Sequence, residues 1–154
     1  LTRQGAVHLS RMTPPMPLSR IVYVSDAVGA AADGLMPLID IVGASDRNNR
    51  RDHLTGVLMR CDGRFLQVIE GTRADLDRLM GRLDGDTRHK TIRILSDEPI
   101  ETRLFPDWGM ARVDPTPEVA AFLDQAMDAM NGADAGRRVE SLLSNASRSM
   151  AVAP

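Results

Sequence analysis

A chain of 154 residues, 43% apolar and 26% charged, has the size and make-up of one packed domain with a real core. Its net charge of −2 is spread over interspersed acids and bases, which excludes the one-sided basic footprint of a nucleic-acid binder. No apolar run approaches the roughly 20 residues of a membrane span, and a single cysteine, Cys61, excludes an internal disulfide and suits a reducing cytoplasm.

Residues 1–17 carry prolines at 14, 15 and 17, no methionine at position 1 and no signal-peptide apolar region. They are expected to form a disordered extension, with Met12 or Met16 as the natural start. Regular signals begin at Arg20. "RIVYVS" (20–25) is rich in β-branched residues and reads as a strand with Ile21, Tyr23 and Ser25 on one face. After the loop "DAVGAAADG", a helix is expected from Met36–Pro37 toward Asn48, with Leu35, Leu38, Ile39 and Val42 as its core stripe. "HLTGVLMR" and "FLQVIEG", joined by "CDGR", predict a hairpin. Thr72 with Asp75 three residues on resembles a capping box. It opens a helix bearing Leu76, Leu79, Met80 and Leu83. "KTIRILS" (90–96) and "WGMARV" (108–113) predict two more strands.

The order β-α-β-β-α-β-β predicts an α+β, ferredoxin-like sandwich, a mixed five-stranded sheet with two helices on one face. The opposite face, bearing Val22, Val24, Leu66 and Val68, also needs a cover. Two C-terminal helical stripes can supply it: Val119, Phe122, Ala126 and Met130, then Val139, Leu142, Ala146 and Met150, with "NGADAG" as the connector. The expected division is therefore an extension over 1–17, a main domain over 18–113 and a helical cap or output segment over 114–154.

Gln67 is out of place in this scheme. Phe65, Gln67 and Ile69 share one face of a strand that is apolar on both sides. An unpartnered buried carboxamide costs roughly 1–3 kcal/mol, so Gln67 must meet a polar group. Tyr23, the only tyrosine, can share its space if the two strands are neighbours, and a phenol and a carboxamide satisfy each other. On the first helix Ile41, Ser45 and Asn49 are spaced by four and form a second ridge, which Asn48 follows closely. By periodicity alone that ridge faces either water or the interior. Asp86, Arg88 and His89 in "DTRHK" stand at the entrance to a strand. The histidines lack partners at metal spacing, and His53 with Cys61 is a weak pair, so no metal is expected. There is no glycine-rich dinucleotide or triphosphate loop and no nucleophile–base pair.

Taken together, "RIVYVS", "SDRNNRRDHLTGVLM", "DGRFLQVIEG", "DTRHK" and "RLFPDWGMARV" resemble, in order and spacing, the BLUF family of blue-light sensors that use flavin. The resemblance covers roughly residues 18–113. It implies a non-covalently bound flavin, FAD with FMN or riboflavin as alternatives, between the two helices. Tyr23, Gln67 and Asn49 become the flavin-facing triad, with Ile41, Ser45, Asn48, Asp86, Arg88 and His89 lining or closing the pocket and Arg82 within reach of a cofactor phosphate. Trp108 and Met110 become the photoactive partners on the last strand, and the sequence leaves open which of them lies beside the flavin.

In this reading Tyr23 gives an electron and then, through Gln67, a proton to the light-excited flavin. After their return Gln67 is left rotated or tautomerised. That describes a photoreceptor, not an enzyme, signalling through the last strand and the C-terminal helices to its own oligomer or to a separate protein partner. Two other readings compete. A flavin-dependent redox enzyme would bleach with reductant and show no reversible light shift. A cofactor-free ferredoxin-like interaction module would purify colourless.

Overall fold

The computed structural model of the chain describes residues 16–124 and 132–152. The extension expected over 1–17 lies outside them except for its last two residues, and Ala126 and Met130 of the expected stripe lie outside them too. The strands are β1 (Leu18–Ala27), β2 (Thr55–Cys61), β3 (Arg64–Thr72), β4 (His89–Ile100) and β5 (Ala111–Val113). The helices are α1 (Leu35–Arg51), α2 (Arg73–Asp84), α3 (Pro117–Leu123) and α4 (Gly132–Val152), with a 3-10 turn at Gly29–Ala32.

The strands form one sheet in the order β4-β1-β3-β2-β5. β1 pairs antiparallel with β3 and β4, β2 antiparallel with β3, and β5 runs parallel to β2. This is the expected mixed ferredoxin-like sheet. β3 is its centre, so alternation must bury both of its faces. Phe65 and Ile69 pack with Ile41 and Leu38 of α1 and Leu76 and Leu79 of α2. Leu66 and Val68 pack on the other side with Val119 and Leu123 of α3 and Val139, Leu142 and Leu143 of α4. The hairpin turn has Asp62 at φ 53° and Gly63 at φ 73°. Two consecutive positive φ values match the twist of the flanking strands, and the turn pins Leu58 opposite Gln67. Thr72 caps α2, its hydroxyl accepting from the Asp75 N–H.

Three expectations are corrected. On α1 the buried residues are Leu38, Ile41 and Asn49, whereas Leu35 is 56% and Ile39 46% exposed. The helix turns Leu38 and the Ile41–Ser45–Asn49 ridge inward, and Val42 packs at the edge of the same core. The "NGADAG" connector is mostly helix: α4 begins at Gly132. A Cβ at Gly136 would collide with Ser96, so this glycine lets α4 lie directly on β4. Finally, β5 begins at Ala111 and not at Trp108. The carbonyl of Gly109 and the N–H of Met110 are taken by side chains of α1 and so cannot join a ladder.

The connector from β4 to β5 is held by buried polar groups. The fully buried Glu70 carboxylate accepts from the N–H groups of Leu104 and Phe105, both at 2.9 Å, and from Arg20 at 3.0 Å. Arg20 extends the contact to Glu140 on α4 at 3.2 Å. Gly56 N–H donates to the Trp108 carbonyl at 2.9 Å.

Candidate functional site

Tyr23 and Gln67 are direct partners in the β1–β3 register. Both are buried, at 2% and 5% exposure, on the helix-covered face of the sheet. The Tyr23 hydroxyl donates to Gln67 Oε1, which turns the amide nitrogen the other way. Gln67 Nε2 donates to the thioether sulfur of Met110 at 3.6 Å. A carboxamide carries two N–H donors, so one remains for a further acceptor. Burial, and secondarily the charge of Asp86, push the Tyr23 phenol well above its ordinary pKa, so it stays protonated and a donor.

A cleft opens between α1, α2 and the sheet. Its polar corner is Tyr23, Gln67 and Asn49, and its walls include Ile41 and Ser45 from α1, Leu79 and Leu83 from α2, and Leu58 and Phe65 from the sheet. Asp86, Arg88 and His89 stand at its α2–β4 end. Arg88 donates from Nε to Asp86 at 2.9 Å, and this hydrogen bond holds the Asp86 carboxyl below the usual carboxylate range. His89 is held at both nitrogens, by the Leu83 carbonyl at 3.0 Å on Nε2 and by the Ser25 hydroxyl at 2.8 Å on Nδ1. A carbonyl can only accept, so Nε2 carries the proton and, in the neutral ring, Nδ1 accepts from Ser25. The imidazole thus ties α2 to β1 and lines the cleft at a ring distance of 6.2 Å from Tyr23.

Of the residues singled out in the sequence, Tyr23, Ile41, Ser45, Asn49, Gln67, Asp86, Arg88 and His89 come together around this cleft. Met110 adjoins it through Gln67. Three do not line it. Asn48 is exposed, one residue off the inward ridge. Arg82 is exposed on α2 and pairs with Asp52, at the C-terminal end of α1, at 3.1 Å. Trp108 packs on the opposite face of the sheet, stacked on Phe105 at 6.5 Å. The sequence reading missed Leu58 and Phe65, which strand alternation places beside Gln67, and Ser25, whose role follows only from its contact with His89. It also missed Asp46 and Gly109, for which no local pattern gives a signal.

One atom shows that the cleft suits a ligand with a polar edge. Asn49 is 1% exposed, and its Nδ2 donates to the Gly109 carbonyl at 2.8 Å. Its Oδ1 is the buried side-chain polar atom left without a partner among the described residues. An orphaned acceptor of this kind costs roughly 1–3 kcal/mol, and a ligand N–H would relieve it. The aliphatic walls contributed by the two helices suit the faces of a flat ring. A flavin ring system, apolar on its faces and polar along one edge, meets both requirements.

The comparison with known proteins agrees. The family model of BLUF, "sensors of blue-light using FAD", matches residues 18–111, and the chain belongs to that family. The photoactivated adenylate cyclase subunit beta of Euglena longa is 32% identical over 93 residues, 60% of this chain and 11% of that protein. The chain thus spans about a tenth of the length of this relative. The BLUF protein BlrB in its dark state has a TM-score of 0.66 at 29% identity, over 88% of this chain and 98% of that one. BlsA in its photo-activated state has a TM-score of 0.70 at 25% identity, over 82% and 94%. Among the described residues no helix is long and apolar enough to cross a membrane.

Proposed function

We propose that this chain is a blue-light photoreceptor that binds oxidised FAD in the cleft between α1 and α2, with FMN or riboflavin able to take the same place. The observation that carries the reading is the buried Tyr23–Gln67 pair, in direct register and in one cleft with the orphaned Asn49 acceptor. When bound, the flavin supplies a chromophore for blue light and an electron acceptor in its excited state. Tyr23, Gln67 and Asn49 would hold its polar edge, Ile41 and Ser45 would flank it, and Asp86, Arg88 and His89 would close one end. Asn48 and Arg82, both exposed beside the cleft-forming helices' inward faces, would contribute to cofactor binding from outside the cleft lining.

The chain's own part is a two-position switch. Tyr23 is the electron donor, and its proton is already hydrogen-bonded to Gln67 Oε1, so loss of the electron releases the proton onto the carboxamide. Once electron and proton return, Gln67 can settle in a second orientation. A half-turn of the carboxamide exchanges the acceptor facing Tyr23 for a donor, and the donor facing Met110 for an acceptor. In a dry pocket such a change weighs more than in water. Met110 therefore senses which way Gln67 points. Residues 18–113 form the sensor, and residues 114–154 form a cap that doubles as an output surface. We place the protein in the cytoplasm, without catalytic activity of its own, as a homo-oligomer acting on a separate protein and not on nucleic acid or membrane.

Absorption spectra in darkness, under blue light and during recovery test this. A flavin spectrum that moves slightly to the red and returns in the dark is expected. A yellow protein that never shifts would instead indicate redox enzymology, and a colourless one that takes up no flavin would end both flavin readings.

A further inference from the structure

Gly109 and Met110 share one peptide unit, and α1 holds both ends of it. Its carbonyl accepts from Asn49 Nδ2 at 2.8 Å, and its N–H donates to Asp46 Oδ1 at 3.0 Å. Asp46 and Asn49 are three residues apart, so they project from one side of the helix. The approach requires glycine: a Cβ at position 109 would stand 2.7 Å from both the backbone oxygen and Oδ1 of Asp46. Arg50 Nε reaches both Asp46 carboxylate oxygens, at 3.0 and 3.1 Å, and fixes the group from its other side. Burial pushes the Asp46 carboxyl up, but the hydrogen bonds from Arg50 and Met110 and the charges of Arg50 and Arg47 more than offset it. The net shift is downward, so the group is an ionised acceptor at neutral pH. β2 holds the Trp108 carbonyl on one side and pairs with Ala111 on the other, so the hydrogen bonds of the peptide between them fall to α1. At the end of the Met110 side chain, the buried sulfur meets Gln67 Nε2.

We propose that Asp46 is a positioning residue for the light response: with Asn49 it clamps the Gly109–Met110 peptide to α1, and so presses the Met110 thioether against Gln67. The inference rests on the photoreceptor reading, and it assigns Asp46 a part that Asn49 cannot fill alone. Asn49 holds the carbonyl end and also faces the cleft, so it links the bound ligand to the clamp. Asp46 holds the N–H end and is not one of the residues that line the cleft. With the clamp intact, Gln67 must turn against a fixed sulfur in order to return. With Asp46 removed, Met110 withdraws, the barrier to that turn falls, and the lit state decays faster.

The test uses the flavin-loaded full chain. Asp46→Ala should leave the size of the red shift unchanged and accelerate dark recovery about fivefold or more, the factor for one hydrogen bond. Asp46→Asn, which retains an oxygen acceptor, should recover within twofold of the parent. In a Met110→Ala background, Asp46→Ala should cause no further acceleration, because the residue acts through Met110. Equal recovery in Asp46→Ala and the parent, failure of Asp46→Asn to rescue, or full additivity with Met110→Ala would each overturn the assignment. Amide hydrogen exchange at Met110, measured in darkness, reads the clamp without light: protection should fall in Asp46→Ala and persist in Asp46→Asn. If the parent binds flavin but never shifts, the photoreceptor reading fails, and exchange at this one amide still decides for or against the clamp.

Discussion

The carboxamide of Gln67 is gripped between the hydroxyl of Tyr23 on one neighbouring strand and the sulfur of Met110 on the segment before β5. The two contacts differ in polarity, since Oε1 accepts from one and Nε2 donates to the other. Only one orientation of the amide satisfies both.

Replacing Gln67 by leucine tests that grip. The Tyr23 hydroxyl would then be buried without its acceptor, at a cost of roughly 1–3 kcal/mol measured by urea unfolding. Tyr23→Phe added to the same chain should restore part of the loss, because it removes the orphaned group. Flavin should stay bound in Gln67→Leu while the light-induced shift disappears. A shift of normal size in that variant would show that Gln67 is not the switch.

Tyr23 also predicts an alkaline dependence of stability. Its folded pKa lies above the unfolded value near 10, through burial first and the charge of Asp86 second. A group whose folded pKa is raised contributes stability that is fully present below the unfolded pKa. That stability is lost as pH climbs above about 10, where the unfolded chain releases a proton that the folded chain retains. Tyr23 is the only tyrosine, so phenolate absorbance reports it alone. The phenolate signal should appear together with unfolding, and Tyr23→Phe should flatten this limb of the pH profile. A smooth titration near pH 10 in the folded protein would contradict the buried pair.

Glu70 anchors the opposite face of β3. Glu70→Ala removes the acceptor of two backbone N–H groups and leaves Arg20, whose side chain is 14% exposed, without its buried partner. Breaking a buried pair in this way costs roughly 3–5 kcal/mol. The midpoint of chemical unfolding should fall accordingly, and Glu70→Gln should lose less. A change within experimental error in Glu70→Ala would mean that the connector is held by something else.

Trp108 and Met110 should behave differently in light. Trp108→Phe keeps an aromatic against Phe105 on the far side of the sheet, so the size of the red shift should not change. Met110→Ala removes the sulfur from Gln67 and should accelerate dark recovery severalfold. The reverse pattern, followed by difference spectroscopy on both variants, would place Trp108 in the cleft.

Much of this could be read locally. Alternation in "DGRFLQVIEG" places Gln67 among apolar neighbours, the turn at Asp62–Gly63 sets the hairpin register, and Thr72 with Asp75 opens α2. Each is a property of a few adjacent residues, which is why it survives without tertiary information. The core stripe of α1 is legible only in part: Leu38 and Val42 join the core, whereas Leu35 and Ile39 face solvent. Leu35 and Ile39 are as apolar as Leu38 and Ile41, and only the position of the sheet decides which pair is buried.

The segment before β5 shows the division most clearly. By strand alternation Trp108 and Met110, two residues apart, would share a face. They lie instead on opposite sides of the sheet, because α1 side chains bind the peptide between them and end the alternation there. Local pattern is enough to place most strands and helices and to mark Gln67 as a buried polar residue that requires a partner. That Met110 and not Trp108 meets Gln67 follows from tertiary contacts, because the Asn49–Gly109 and Asp46–Met110 bonds span 60 and 64 positions and leave no trace in local periodicity.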